Sequence, residues 1–318
     1  MPLIHLGALE PDEFRTGLVR QWLSPDEFVE DIHEIMGNPL AREVAAHPAW
    51  RAAHANHSFA NRLAAICKEI GIEHDWQPFP KATLVTGTMR PHLLEKSIRQ
   101  YLDQTYPNKE LVVVFNGAAS ELAEVRAKYG SHDDIIFTSL PTDCHAGSLL
   151  NLGLQQGTGE YFFRVDDDDH YGANYVYDCM LYLRACDAEV FGKQASFFHF
   201  EGEENLYLRK NNLRIQHFLV KSLFDTAQQQ WISGCGFACK SDFLKAIHYP
   251  DDNNLSADTE LLFRIRTMRP DTQCLMVDSL NLVVERSADV ENHTWKRPAS
   301  GIKQESQALD KVISDLMV

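Results

Sequence analysis

Glu160-Tyr161-Phe162-Phe163-Arg164-Val165-Asp166-Asp167-Asp168-Asp169-His170-Tyr171 decides how this chain is read: an apolar run of strand type opens directly into four consecutive carboxylates. Side chains of an extended backbone alternate between two faces, so Asp166 and Asp168 project to the same side if the strand geometry persists. Neighbouring carboxylates repel, and ionising all four is unfavourable unless solvent or a cation compensates. Hard oxygen donors favour Mg or Mn, held by one or two carboxylates with the other positions left to water and phosphate oxygens. In isolation the run reads equally as a solvated acidic turn. Its position decides against that, because it closes the fourth strand of a repeating series.

The series begins at Lys81. Strand-like Ala82–Thr88, Glu110–Phe115, Asp134–Thr138 and Glu160–Asp166 alternate with amphipathic segments near Pro91–Gln104, Glu121–Tyr129 and Ala146–Gln156. That alternation is the sequence form of βαβ units and a largely parallel α/β sheet. Ligands of such sheets gather beyond the carboxyl ends of the strands, so Thr86 to Arg90, Asn116, Gly117 and the acidic run should share one crevice. Further strand-like pieces lie at Ala195–Phe200 and Gln273–Val284, and Gly301–Val318 reads as a short amphipathic helix. Ahead of the series, Pro11-Asp12-Glu13-Phe14 and Pro25-Asp26-Glu27-Phe28 each suit a helix start, with Pro in the first turn and carboxylates at the positive end. Ser24 and Glu27 add a capping box, and a further helix is expected from Ala49 to Ile70, closed by Gly71. The organisation is therefore a helical appendage over residues 1–80, an α/β domain over 81–300 and a terminal helix over 301–318.

The 318 residues carry 30 Lys and Arg against 45 Asp and Glu, a formal charge of -15. Such a surface repels phosphate backbones, which argues against nucleic-acid binding. No apolar stretch approaches the length of a membrane span, and Met1–Glu10 lacks the basic-then-apolar pattern of a secretory leader, so the expected location is cytoplasmic. Seven scattered cysteines do not suit a disulfide framework, and Cys235 and Cys239 lack the CxxC or Cys/His partners of a zinc site.

From Ala82 to about Lys296 the chain resembles the family 2 nucleotide-sugar glycosyltransferases. The matching pieces run in order: Leu84-Val85-Thr86-Gly87-Thr88-Met89-Arg90-Pro91, Gln104-Thr105-Tyr106-Pro107 leading into Glu110–Val114, Asn151-Leu152-Gly153 before Gly157–Tyr161, the acidic run, Ala257-Asp258-Thr259-Glu260 and His293-Thr294-Trp295. The resemblance implies a GT-A fold, a Rossmann-like, mostly parallel sheet flanked by helices, and an inverting, metal-dependent transfer from a nucleoside diphosphate sugar, UDP being the commonest carrier. It implies Asp168 and Asp166 as metal ligands, with His293 completing the shell, and Asp166 or Asp167 near the ribose. Asp258 becomes the base that deprotonates an acceptor hydroxyl, with Glu260 as its nearest competitor. Thr86, Gly87 and Arg90 would line the nucleotide, Asn116 would face the base, and Gly234 would allow close backbone approach in the donor crevice.

Two positions depart from the family pattern. The second strand ends in Phe115-Asn116 rather than two acids, which leaves the choice of base open, and Leu150 stands where an Arg commonly precedes Asn151. Competing readings are a nucleotidyltransferase, which needs a richer glycine and basic loop than Thr86–Arg90, and a nucleotide-sugar-binding scaffold without activity. The expected acceptor is a glycan or glycoconjugate. A lipid-linked acceptor would bring peripheral membrane contact, and the leading helices would pack on the domain or mediate self-association.

Overall fold

In a computed structural model of the protein, the described residues are 3–6, 19–22, 24–73, 79–142, 144–186, 188–209, 218–220, 232–251, 257–289 and 296–318. The chain divides into two units, Met1–Pro78 with Val318, and Phe79–Met317. No disulfide joins the seven cysteines.

The first unit pairs β1 (Leu3–Leu6) with β2 (Val19–Trp22) in parallel and adds three helices: α1 (Pro25–Gly37), α2 (Pro39–Asn56) and α3 (Phe59–Glu69). Ser24 caps α1 by accepting from Glu27 N at 3.5 Å, one half of the expected capping box. The single helix expected from Ala49 to Ile70 is two. Ser58 leaves the helical region with φ -67° and ψ 158° and caps α3 by accepting from Asn61 N at 3.2 Å. Helical periodicity runs through such a break because both pieces keep their apolar spacing. The helix start suggested at Pro11 lies outside the described residues.

The second unit opens with β3 (Ala82–Thr88), α4 (Leu94–Asp103), β4 (Lys109–Asn116), α5 (Ala123–Tyr129), β5 (Ile135–Leu140), α6 (Ala146–Gln156) and β6 (Tyr161–Arg164). It continues through β7 (His170–Tyr171), α7 (Tyr175–Ala185), β8 (Val190–Gly192), β9 (Phe197–Phe200), β10 (Tyr207–Arg209) and β11 (Phe218–Val220). Next come β12 (Phe237–Lys240), α8 (Ser241–Ile247), α9 (Ala257–Met268), β13 (Cys274–Met276), β14 (Leu282–Arg286), α10 (Ala299–Gln304) and β15 (Ser306–Ala308). The central sheet has the order β11-β13-β8-β12-β6-β3-β4-β5, in which β5, β4, β3 and β6 are parallel and β12 runs against β6. A second sheet, β15-β10-β9-β14-β7, stands beside it.

β3 is flanked by β4 on one side and β6 on the other, so the strand order reverses at β3 and opens a crevice at its carboxyl end. Val85, Val112, Val114 and Phe162 bury one face of this sheet against Leu149, Leu150 and Leu154 of α6 and Leu261 and Ile265 of α9. Close packing of α6 requires glycine at 153, where a Cβ would stand 2.2 Å from Val85 Cγ1.

Two sequence expectations change. Gln273–Val284 is not one strand but β13 in the central sheet and β14 in the second, separated by a turn in which Asn281 takes φ 61°. Gly301–Val318 is not one helix. Ser306–Ala308 leaves the helical path to pair antiparallel with Tyr207–Arg209, so an edge-strand pairing overrides the amphipathic spacing, and only a 3₁₀ turn at Ile313–Leu316 follows.

The turn that feeds β6 is held by a buried carboxylate. Glu110 accepts from Thr83 Oγ1 at 2.6 Å and Gly159 N at 3.1 Å, from Thr158 N, and pairs with Lys81 Nζ at 2.5 Å. Burial pushes this acid up, but Lys81, Thr83 and Thr158 outweigh it and hold Glu110 below the usual range. A depressed value in the folded state means that the stability is present above the ordinary glutamate range and is lost as pH falls through the lower folded value. Urea unfolding across acid pH should show that loss in the parent and its absence in Glu110→Gln, which should also cost about 1–3 kcal/mol near neutrality. An unchanged acid profile in the variant would place the loss elsewhere.

Candidate active site

The carboxyl ends of β3 and β6 bring Thr88–Arg90 beside Val165–Asp169. The strand ends at Arg164 and residues 167–169 bend, yet the burial of the four carboxylates still alternates. Asp167 and Asp169 are turned inward, each 3% exposed. The side chains of Asp166 and Asp168 retain 28% and 21% of their exposure and face the crevice side.

Each inward or half-buried acid is compensated. Arg90 forks onto Asp167, with Nε 3.0 Å from Oδ2, and reaches Asp168 Oδ2 with Nη1 at 3.0 Å. Thr88 Oγ1 also donates to Asp167 and in turn accepts from Arg90 N at 2.8 Å, which fixes the loop after β3. Asp169 accepts from Glu285 N of β14 at 3.0 Å, and Lys96 Nζ of α4 donates to the Asp168 carbonyl. Arg164 places Nε 2.7 Å from Asp166 Oδ1 and Nη2 3.0 Å from its Oδ2, while Nη1 donates to Asp258 Oδ1. Burial pushes the Asp166 carboxyl above the usual range, with Arg164 opposing it. The Asp166 N–H donates to Tyr171 Oη at 2.9 Å, whose own hydroxyl donates to the Cys235 carbonyl at 2.8 Å.

Asp258 stands in the first turn of α9, and its carboxylate lies against Gly234: a Cβ on that glycine would sit 2.2 Å from Asp258 Oδ2. The loop leading to α9 is tied to α6 by Asn151, whose Nδ2 donates to the Tyr249 carbonyl at 3.0 Å and whose Oδ1 accepts from Tyr249 N at 2.9 Å. Asn151 thus serves as a clamp between elements. Leu150, at the position of the absent arginine, is core, 3% exposed.

The structure distributes the other expected residues differently. Asn116, at the end of β4, donates from Nδ2 to the Cys144 carbonyl at 3.0 Å, and its Oδ1 is buried without a partner. Thr86 is fully buried with an unpartnered hydroxyl, and it lines a small cavity beside the acidic run with Asp166, Gln100, Tyr171 and Tyr175. The pleat of β3 turns it inward. Gly87 meets α6, where a Cβ would stand 3.1 Å from Leu149 Cβ. Asp167 is buried and held by Arg90 and Thr88. His293 lies outside the described residues. Arg164 was given no role by the sequence; the signal was a charged residue at an alternation position of an otherwise apolar strand.

Residues 88–244 match the family profile described as Glycosyl transferase family 2. The chain carries a family 2 glycosyltransferase domain. An uncharacterized glycosyltransferase of Rickettsia typhi is 27% identical to it over 185 residues, 54% of each chain, so the chain spans about half the length of this relative. Poly-beta-1,6-N-acetyl-D-glucosamine synthase of Staphylococcus epidermidis is 25% identical over 75 residues, 24% of this chain and 18% of its own. Among solved structures, S. aureus TarS 1-349 superposes with a TM-score of 0.53 at 14% identity, covering 64% of this chain and 60% of that one. TarS 1-349 in complex with UDP-GlcNAc superposes equally, at 0.53 and 15% identity over 65% and 58% of the two chains. At such identities the likeness establishes the fold, and the glycosyltransferase domain has the GT-A architecture. Among the described residues no helix is long and apolar enough to cross a membrane.

Proposed function

We propose that this protein transfers a sugar from a nucleoside diphosphate to an acceptor hydroxyl, with inversion at the anomeric carbon, in building a bacterial surface polysaccharide or another glycoconjugate. The observation that carries the reading is the approach of Asp258 to the acidic run through one arginine, at the crevice where this topology gathers ligands. The names of the relatives support the reaction class, and the TarS complex with UDP-GlcNAc supports a nucleotide-sugar donor.

Among the described residues no three His, Cys, Asp or Glu side chains stand close enough to hold a metal by themselves. Two partly exposed carboxylates nevertheless fit a Mg or Mn ion that takes its remaining ligands from a diphosphate. Asp166 and Asp168 would hold it, and bound there it would offset charge developing on the departing diphosphate. Asp258 accepts the proton of the acceptor hydroxyl as the new bond to the anomeric carbon forms. The bond to the diphosphate breaks with its electron pair going to the phosphate oxygen.

Asn116 limits the base. Only an amide N–H can face the Cys144 carbonyl, so the oxygen is the end left to a ligand. A lone acceptor suits the ring N–H of uracil, thymine or guanine, whereas cytosine and adenine can meet it only through their exocyclic amines. UDP is the donor nucleotide we propose, with Arg90 available to the diphosphate once its pairing with Asp168 opens.

Thermal unfolding with UDP, GDP, dTDP and CDP, each with Mn, Mg or chelator, tests the site. UDP at a hundred times its dissociation constant should add about 2.7 kcal/mol of stability. The gain should require metal, vanish in Asp168→Ala and be smaller with CDP. Stabilisation by CDP equal to that by UDP would remove the Asn116 reading. No response to any nucleotide would favour a scaffold that keeps the fold alone.

A further inference from the structure

Arg164 ends β6 opposite Val85 of β3 and shares a strand face with Phe162, which packs toward Tyr249 at a ring separation of 6.3 Å. Phe163, on the other face, meets Tyr175 and Phe191. The guanidinium therefore emerges on the side where α9 begins. Its side chain is 14% exposed, and it spends its N–H groups on two carboxylates 92 positions apart in sequence, both oxygens of Asp166 and Oδ1 of Asp258. Burial by itself would loosen its proton, and Asp166 and Asp258 more than offset this, so Arg164 stays charged.

An ion pair has a cost for a residue expected to act as a base, because a neighbouring cation weakens a carboxylate's hold on a proton. Sharing one cation between two carboxylates lessens that cost. Orientation is the gain. With Oδ1 anchored to Arg164, the Asp258 carboxylate seats on Gly234 and fills the space a Cβ would take, its Oδ2, Cγ and Oδ1 lying 2.2, 2.4 and 2.6 Å from that position. We infer that Arg164 is a positioning residue for transfer: it anchors Asp258 through Oδ1, leaves Oδ2, which it does not engage, to take the acceptor proton, and ties that orientation to Asp166 in the acidic run. The inference rests on the transfer reading above. In the step it serves, the acceptor proton goes to Asp258 Oδ2, the acceptor oxygen bonds to the anomeric carbon, and the nucleoside diphosphate leaves with the electron pair.

A lysine keeps the charge but offers a point donor in place of a planar fork, so it cannot hold both carboxylates in the same geometry. Arg164→Met should lower kcat about 100-fold, the effect of a misplaced reacting group, while donor KM changes less than about threefold. Arg164→Lys should recover about tenfold of that loss without restoring the parent rate. A purely structural role predicts a different result: a lower unfolding midpoint in both variants with kcat of the folded fraction unchanged. If Arg164→Met does not fold, Arg164→Lys decides, since parent-like kcat in it overturns the inference and a loss confined to kcat upholds it. If the parent protein binds nucleotide but turns over no nucleotide sugar, the transfer reading fails on its own. A crystal structure of Arg164→Lys then judges the anchor: an Asp258 carboxylate still seated on Gly234 overturns it, and a displaced one upholds the anchoring.

Discussion

Asp258→Asn should reduce sugar transfer by about 10³-fold, within the range contributed by a positioned general base, and leave folding and nucleotide binding as in the parent. The substitution is nearly isosteric. Its amide oxygen can still accept from Arg164 Nη1, so the tie to the acidic run survives, and the space beside Gly234 stays filled. Only the ability to take a proton is removed, and the effect should fall on kcat with KM for the donor little changed. Glu260 provides the control. Two residues further along α9 it is turned by about 200° around the axis, and its carboxylate lies 3.9 Å from Arg264 Nε. Glu260→Gln should therefore transfer at close to the parent rate. The assay is product formation from UDP-sugar and acceptor under saturating donor, with circular dichroism and nucleotide-induced stabilisation as checks on fold and binding. Retention of activity in Asp258→Asn together with its loss in Glu260→Gln would move the base to the second carboxylate.

Much of this site is legible in the sequence because its information is local. Alternating strands and helices specify the parallel run β5-β4-β3-β6, and the first reversal of strand order then locates the crevice. Burial alternates along the acidic run as a period of two would have it, although the strand ends at Arg164 and Asp167 and Asp169 are held by Arg90, Thr88 and Glu285 of other elements. The less legible parts depend on distant partners. Arg164 acquires its role from Asp258, brought to it by the packing of α9, and no local pattern announces that meeting. Thr86 reads as a ligand-lining residue by its position in a motif, yet the pleat of β3 turns it into the interior. Of the second sheet, the sequence marks β9 within Ala195–Phe200 and the start of β14, whereas β7, β10 and β15, only 2, 3 and 3 residues long, leave no mark. Strands that short show no usable period, and their existence depends on cross-strand partners. The same reason accounts for Ser306–Ala308, where pairing with β10 wins over helical spacing.

Lys193→Met should destabilise the protein by about 3–5 kcal/mol, the cost of leaving a buried charge without its partner. Lys193 and Asp278 are both fully buried, with Nζ 2.8 Å from each carboxylate oxygen. Desolvation opposes the charge on Lys193, but Asp278 outweighs it and raises the lysine above its usual range. Asp278 also accepts from Leu280 N at 2.7 Å and so shapes the turn in which the chain leaves β13 in the central sheet for β14 in the second. The pair thus fastens the end of β8 to the point where the two sheets part. Removing the lysine alone strands the carboxylate among Tyr175, Cys179 and the strand ends, where water cannot reach it. Replacing both residues, in Lys193→Met with Asp278→Leu, should cost much less than the single change, because no charge is then left buried. Urea unfolding of the two single variants and the double variant gives the coupling through a thermodynamic cycle. A double variant as unstable as the sum of the singles would mean that the charges act independently, and the crossing between sheets would then owe its geometry to packing alone.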